Sequence, residues 1–195
     1  MEKKQSREFA KTSNPTVINL QQGKIPPQAL ELEEAVLGAM LIDKKGVDEV
    51  IDLIQPEAFY KAAHQTIFEA IFQLFQDSQP IDLLTVSSEL RKKGKLESIG
   101  GEFYLVQLSQ RVASSAHIEF HARIILQKFI QRSLIKISNE IIESAYKEST
   151  DVFDLLDEAE SKLYDVTQGN IKKSSEWAQN LVLEAKKKIE EISKR

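Results

Sequence analysis

The stretch "SSAHIEFHARIILQKFIQRSLIKISNEIIESAY", residues 114–146, decides the fold. It contains neither Gly nor Pro, and Leu126, Ile130, Leu134, Ile137, Ile141 and Ala145 recur at spacings of 4, 4, 3, 4 and 4, the period of one helix face. Ser115 is placed to cap its N-terminus. About thirty residues of helix run to roughly 45 Å, too long to bury one stripe against a few short helices. After a break at Lys147–Thr150, Val152, Leu156, Ala159, Leu163 and Val166 repeat at 4, 3, 4 and 3, a heptad seam. Two such helices joined by a short polar turn read as an antiparallel hairpin, 115–147 and 151–167.

Upstream of it the pattern is one of short helices. Leu30–Ile42 places Leu32, Val36, Leu37, Met40 and Leu41 at helical spacing, with Glu31, Glu33 and Glu34 in the first turn, where the helix dipole favours acids. Asp43–Gly46 reads as a turn, and Val47, Val50, Ile51 and Ile54 as a second helix ending before Pro56. Ala62–Phe75 is a third, with an apolar stripe wide enough to be central to the core, Phe68, Phe72 and Phe75 included. Leu83–Arg91 is a fourth, closed by Lys92-Lys93-Gly94, and Gly100-Gly101 opens a fifth carrying Phe103, Tyr104, Leu105 and Leu108. Residues 1–25 lack an apolar period and read as a mobile tail, which Pro26-Pro27 ends.

Downstream, residues 168–175 form a polar linker, and Ala178, Val182, Ala185, Ile189 and Ile192 mark a last helix over 175–194, beside Trp177 and Leu181. An amphipathic helix beyond a linker is suited to a groove on a partner, with Trp177, Leu181, Ala185 and Ile189 as anchors. The fold class that follows is all-α: a compact bundle of short helices, a long antiparallel helical hairpin, and a separate C-terminal linker helix. The corresponding boundaries are 1–25, 26–111, 112–168 and 169–195.

Composition narrows the function. Cysteine is absent, which removes disulfides, thiolate metal sites and thiol nucleophiles. No apolar run is long enough to span a membrane, and no secretory leader is visible, so the cytoplasm is the expected location. The net charge of −4 does not suit a general DNA-coating module. The charge is uneven, however. Residues 1–29 carry five bases against two acids, residues 151–168 six acids against Lys162, and residues 172–195 seven bases against four acids. The plain reading of each block is a solvated face or tail.

Catalytic signatures are missing. There is no G-x-x-x-x-G-K-[ST], no G-x-G-x-x-G and no G-x-S-x-G. His117 and His121 have the i, i+4 spacing of metal ligands, but Ile118 stands where a zincin needs Glu, and surface or half-buried imidazoles are the better reading. Asp157 and Glu158 sit on a solvated helix face without a cleft. Nothing in the chain itself supplies a catalytic, cofactor or metal site.

The segments "PPQALELEEAVLGAMLID" (26–43), "FYKAAHQTIFEAI" (59–71), "PIDLLTVSSELRKKGKLESIGGEFYLVQLS" (80–109), "AHIEFHARIILQKFIQRSLIKISNEI" (116–141) and "DLLDEAESKLYDV" (154–166) resemble, in order and in register, the N-terminal domain of bacterial replicative DNA helicases, the DnaB family. The resemblance covers about 140 residues and none of the first 25. It implies a ring-shaped hexamer that unwinds DNA at the fork with ATP and Mg bound in a RecA-like motor. It further implies an N-terminal collar in which hairpins of neighbouring subunits pair and to which primase and a helicase loader dock. A linker helix would dock on the motor domain of the adjacent subunit. DNA would be handled mainly by the parent ring, in the bacterial cytoplasm near the nucleoid. On this resemblance the sequence stops at Arg195 where the motor should begin, which reads as a truncation more than as a short paralogue. Ile130, Leu134, Ile137, Ile141, Leu156, Leu163 and Val166 are the expected self-association contacts. The competing readings are a single-strand DNA-binding module acting through the basic N-terminal tail, and a helical metal hydrolase using His117 and His121.

Overall fold

Between Val36 and Leu41 every residue of the first helix is buried, and a helix that buries its whole circumference has to be surrounded. The computed structural model, which describes residues 24–111, 117–166 and 168, puts this helix, α1 (Leu30–Ile42), against four later helices and the one that follows it. Gly38 and Ala39 lie in the buried run, where small side chains let neighbouring backbones approach. The order continues with α2 (Lys44–Val50), a 3₁₀ turn (Pro56–Ala58), α3 (Ala62–Gln76), α4 (Leu83–Lys92), a second 3₁₀ turn (Glu97–Ile99), α5 (Gly101–Gln110) and α6 (Ile118–Ala145). Residues 152–166 form a further helix, α7. The described residues contain no strand, and none of their helices is long and apolar enough to cross a membrane. The fold is all-α, as the sequence patterning implies.

The core gathers α1 with Val47 and Val50 of α2, Phe59, Ile67, Phe68 and Ile71 around α3, Val86 and Leu90 of α4, Leu105 and Leu108 of α5, and Ile118, Ala122 and Ile125 from the first turns of α6. The hairpin's long helix is therefore rooted in the globule. Gly46 marks a tight meeting point: a Cβ there would lie 3.2 Å from the Ala39 carbonyl oxygen and 3.2 Å from Ile118 Cδ1.

Local chemistry sets several element ends. Asp82 and Thr85 form a reciprocal capping box on α4, with Thr85 N–H donating to Asp82 Oδ1 at 2.8 Å and Asp82 N–H to Thr85 Oγ1 at 2.9 Å. The same helix closes through left-handed Gly94, whose N–H reaches Arg91 O while Lys95 N–H reaches Leu90 O.

Four expectations need correction. Asp43–Gly46 is not a free turn, because Asp43 accepts from Lys45 N–H and caps α2 at Lys44. That helix ends at Val50 rather than Ile54, although Ile51 and Ile54 stay buried. Phe75 is 39% exposed, outside the core that takes Phe68. Glu33, read only as a first-turn acid favoured by the helix dipole, is buried. The described part of the long helix starts at Ile118, with His117 left-handed at φ 77° as its cap position; Ser115 lies outside the described residues. So do residues 1–23 of the expected tail, and the expected C-terminal helix with Trp177, Leu181, Ala185 and Ile189.

Candidate functional site: the helical hairpin and its root

α6 and α7 run antiparallel. Lys162 Nζ lies 2.8 Å from Glu140 Oε2 across the pair and 2.7 Å from Glu158 Oε1 on its own helix. Both charges are reinforced: the hydrogen bond from Lys162 holds the Glu140 carboxyl below its ordinary value, and the bonds to Glu140 and Glu158 raise Lys162. A shallow groove between the helices is lined by Ser133, Lys136, Ile137, Glu140, Lys162, Asp165 and Val166. Of the residues expected at the seam, the structure thus brings Ile137 and Val166 together.

The others are distributed differently. Ile130 and Ile141 are half-buried, and Leu134 is exposed. On α7 the less exposed stripe is Leu155, Ala159, Lys162 and Val166, so Val152, Leu156 and Leu163 turn outward, Leu156 at 61% exposure. The heptad pattern does not separate these two neighbouring stripes, since both repeat at spacings of three and four. A further set of large apolar side chains lies exposed on the hairpin: Ile135, Ile142 and Tyr146 on or just beyond α6, and Phe153 and Tyr164 on α7. Spacing alone did not single these out.

The root of the hairpin holds polar groups that the sequence reading missed. Glu33 Oε2 lies 2.6 Å from His64 Nδ1, with both side chains buried. His64 Nε2 is 2.6 Å from the Tyr104 hydroxyl, which accepts from Lys61 Nζ at 2.8 Å. An ammonium only donates, so every proton has a partner when the Tyr104 O–H donates to Nε2 and the Nδ1–H donates to Glu33. Glu33 also accepts from Tyr60 N–H at 2.7 Å. Beside this chain of bonds, Arg132 of α6 donates through Nη1 to Pro27 O at 2.9 Å and through Nη2 to Ala58 O at 2.6 Å. Partial burial lowers the Arg132 pKa, while the nearby Glu33 charge and Tyr60 oppose that shift. A sequence signal for the buried pair did exist. Glu33 falls on the 33, 36/37, 40 stripe of α1, and His64 on the 64, 67/68, 71 stripe of α3.

His117 and His121 meet only through the helix backbone, His121 N–H donating to His117 O at 3.1 Å. Among the described residues no group of three or more His, Cys, Asp or Glu is arranged to hold a metal ion.

A helical globule from which a rooted antiparallel hairpin projects defines the class: an all-α domain with an outlying two-helix arm. The family model described as the DnaB-like helicase N terminal domain matches residues 25–127, and the chain belongs to that family. It is 42% identical over 175 residues to the replicative DNA helicase DnaB of Rhodothermus marinus, covering 90% of this chain and 18% of that protein. With the replicative DNA helicase DnaB of Geobacillus stearothermophilus it shares 40% identity over 145 residues, 74% of this chain and 32% of the relative. The chain therefore spans about a third or less of these relatives. Among solved structures, the N-terminal domain of DnaB helicase from Mycobacterium tuberculosis superposes with a TM-score of 0.69 at 35% identity, over 72% of this chain and 99% of that one. A DnaB-like replicative helicase, described together with its interactions with primase, matches with a TM-score of 0.61 at 27% identity, over 72% of this chain and 31% of that one.

Proposed function

We propose that this chain acts as the collar portion of a bacterial replicative helicase ring, holding like subunits together through the hairpin and offering a docking surface to primase. The observation that carries the reading is the density of exposed large apolar side chains on the hairpin, among them Leu134, Ile135, Val152, Phe153 and Leu156. Side chains of this size on a two-helix arm with little core of its own favour burial against another surface. Ile130, Leu134, Ile137 and Ile141 of α6 with Leu156, Leu163 and Val166 of α7 are the self-association contacts in this reading. The neighbouring exposed stripe is then available to a second partner. Family membership supports primase as that partner, because a relative is described with its interactions with primase.

In the helicases of this family ATP and Mg belong to a motor domain, and this chain's residues do not fit them, because the sequence holds no phosphate-cradling loop. In this reading residues 26–111 are the globule and 112–168 the arm, and residues 169–195, which lie outside the described residues, are assigned to docking on the motor of an adjacent subunit. A helicase loader is a further partner, and the ring works in the bacterial cytoplasm.

Sedimentation of the chain at tens of micromolar tests the assembly. Dimers or larger species are expected, and Leu156→Glu or Leu163→Asp should return them to monomers with unchanged helicity. A monomeric parent chain, or an unchanged mass in both variants, would overturn the hairpin assignment. Calorimetric titration with the helicase-binding domain of primase tests the second surface through Phe153→Ala, which should weaken binding while leaving the oligomer intact.

A further inference from the structure

We infer that residues 58–61 form a two-sided latch in which Arg132 is the positioning residue that sets the direction of the hairpin. The segment lies between the end of the first 3₁₀ turn and the start of α3, and it is gripped from two directions. From the globule, the buried Glu33 carboxylate accepts from Tyr60 N–H at 2.7 Å and from Lys61 N–H at 3.4 Å, while His64 fixes that carboxylate at 2.6 Å. From the hairpin, Arg132 takes the Ala58 carbonyl at 2.6 Å, and its guanidinium carbon lies 5.5 Å from the centroid of the Tyr60 ring. The other half of the same fork takes the Pro27 carbonyl at 2.9 Å, on the segment that enters α1.

The chemistry requires an arginine. Two carbonyl oxygens from separate stretches of chain are satisfied at once by two nitrogens of one rigid plane, a geometry that the single ammonium of lysine does not reproduce. The position along α6 makes this consequential. Phe129, one turn earlier, still packs against the core, whereas Leu134 and Ile135, just beyond, are exposed. Arg132 thus stands where the helix leaves the globule. The helix runs a further thirteen residues to Ala145, about 20 Å at the standard rise, so a tilt of about 10° at the root carries its far end by about 3 Å. Because both grips act on one short segment, loosening the Glu33–His64 side frees Ala58 and Tyr60 as well, and the hairpin loses its aim without any change on its own surface. The geometric claim is independent of the assembly reading; only its consequence for subunit pairing rests on the collar function.

The absence of native cysteine makes the test direct. Spin labels at Ser88→Cys on α4 and Glu148→Cys at the hairpin turn report the globule-to-tip distance by pulsed electron resonance, with excess unlabelled chain to suppress distances between subunits. The parent should give one narrow distribution. Arg132→Gln and Arg132→Lys should each shift or broaden it by about 3 Å or more, the displacement expected from the helix rise, in samples whose circular dichroism remains that of the folded chain. Glu33→Gln, which removes no hydrogen bond to the hairpin and reaches Arg132 only through its nearby charge, should broaden it in the same way. An unchanged distribution in folded Arg132→Lys and Arg132→Gln overturns the positioning role, and an unchanged one in folded Glu33→Gln overturns the two-sided latch. If Glu33→Gln does not fold, His64→Gln provides the same reading. Sedimentation of the unlabelled variants reports assembly separately, so a failed latch and a failed collar reading give different results.

Discussion

Acids in a first helical turn usually stand in water beside unpaired N–H groups. Glu33 instead turns inward to His64, and Tyr60 N–H takes its second oxygen. Desolvating such a pair is costly, and the charge is tolerated because its lone pairs are used. Removing His64 strands the carboxylate, so His64→Ala is expected to lower stability by about 3–5 kcal/mol, whereas Glu33→Ala leaves a neutral imidazole N–H unpaired and should cost about 1–3 kcal/mol, both measured by urea unfolding. Tyr104→Phe leaves His64 Nε2 without its hydroxyl and should cost about 1–3 kcal/mol. A loss near zero in all three variants would mean that the network contributes nothing to the fold. The pair was legible in principle, since both residues sit on apolar stripes. What hid Glu33 was that a rule of local helix chemistry explained it equally well, and only the meeting of α1 with α3 decides between the two. Arg132 was not legible at all. Its acceptors are the carbonyls of Pro27 and Ala58, and backbone groups have no sequence signature.

Elements were more readable than their junctions. The spans of α1, α3, α4 and α5 follow from apolar spacing and from Gly and Pro positions, and α6 and α7 from their unbroken runs. The start of α2 was missed because Asp43-Lys44-Lys45-Gly46 has turn composition, while the capping bond to Lys45 N–H makes it a helix entrance. At α4 the capping box predicts a measurable cost. Asp82→Ala should destabilise the chain by about 0.5–2 kcal/mol and Asp82→Asn by much less, both read by thermal unfolding. The hairpin carries its own pH signature. Glu140 is held below its ordinary 4.5, so its contribution is fully present above that value and is lost as pH falls through the lowered one. Lys162 is held above 10.5, so its contribution is fully present below that value and is lost as pH rises through the raised one. The α6–α7 pairing should therefore be flat across neutral pH and weaken at both extremes. Salt should shrink the effect, because both groups are partly exposed. Lys162→Gln should remove it. Helicity followed from pH 2 to 12 in both proteins checks this, and a titration identical in the two would refute it.

Across the whole molecule, burial falls along a single helix. Ile118, Ala122 and Ile125 belong to the core, Phe129 packs on its edge, and from Leu134 onward the large side chains of α6 are half-buried or exposed. Hydrogen exchange should follow that gradient. Amides of 122–130 should exchange only on global unfolding, and those of 138–145 through smaller openings. If the proposed pairing of hairpins forms in concentrated samples, it should slow the second group and leave the first unchanged. Equal protection along α6 in dilute monomer would contradict the gradient. The sequence shows that this helix is long, but not where it stops being core, because the apolar period continues unbroken past the point where the globule ends.

One consequence follows from the close approach at Gly46. Ile118 is seated there against α1 and α2, and Arg132 is clamped fourteen residues later, roughly 21 Å along the same axis. A rod held at one point swivels, whereas a rod held at two is aimed. The globule therefore serves as a mount whose two bearings lie in different parts of its packing. Substitutions at either bearing, including Gly46→Ala, whose added methyl would press on Ala39 and Ile118, would appear as a redirected arm rather than as a change on the arm's own surface.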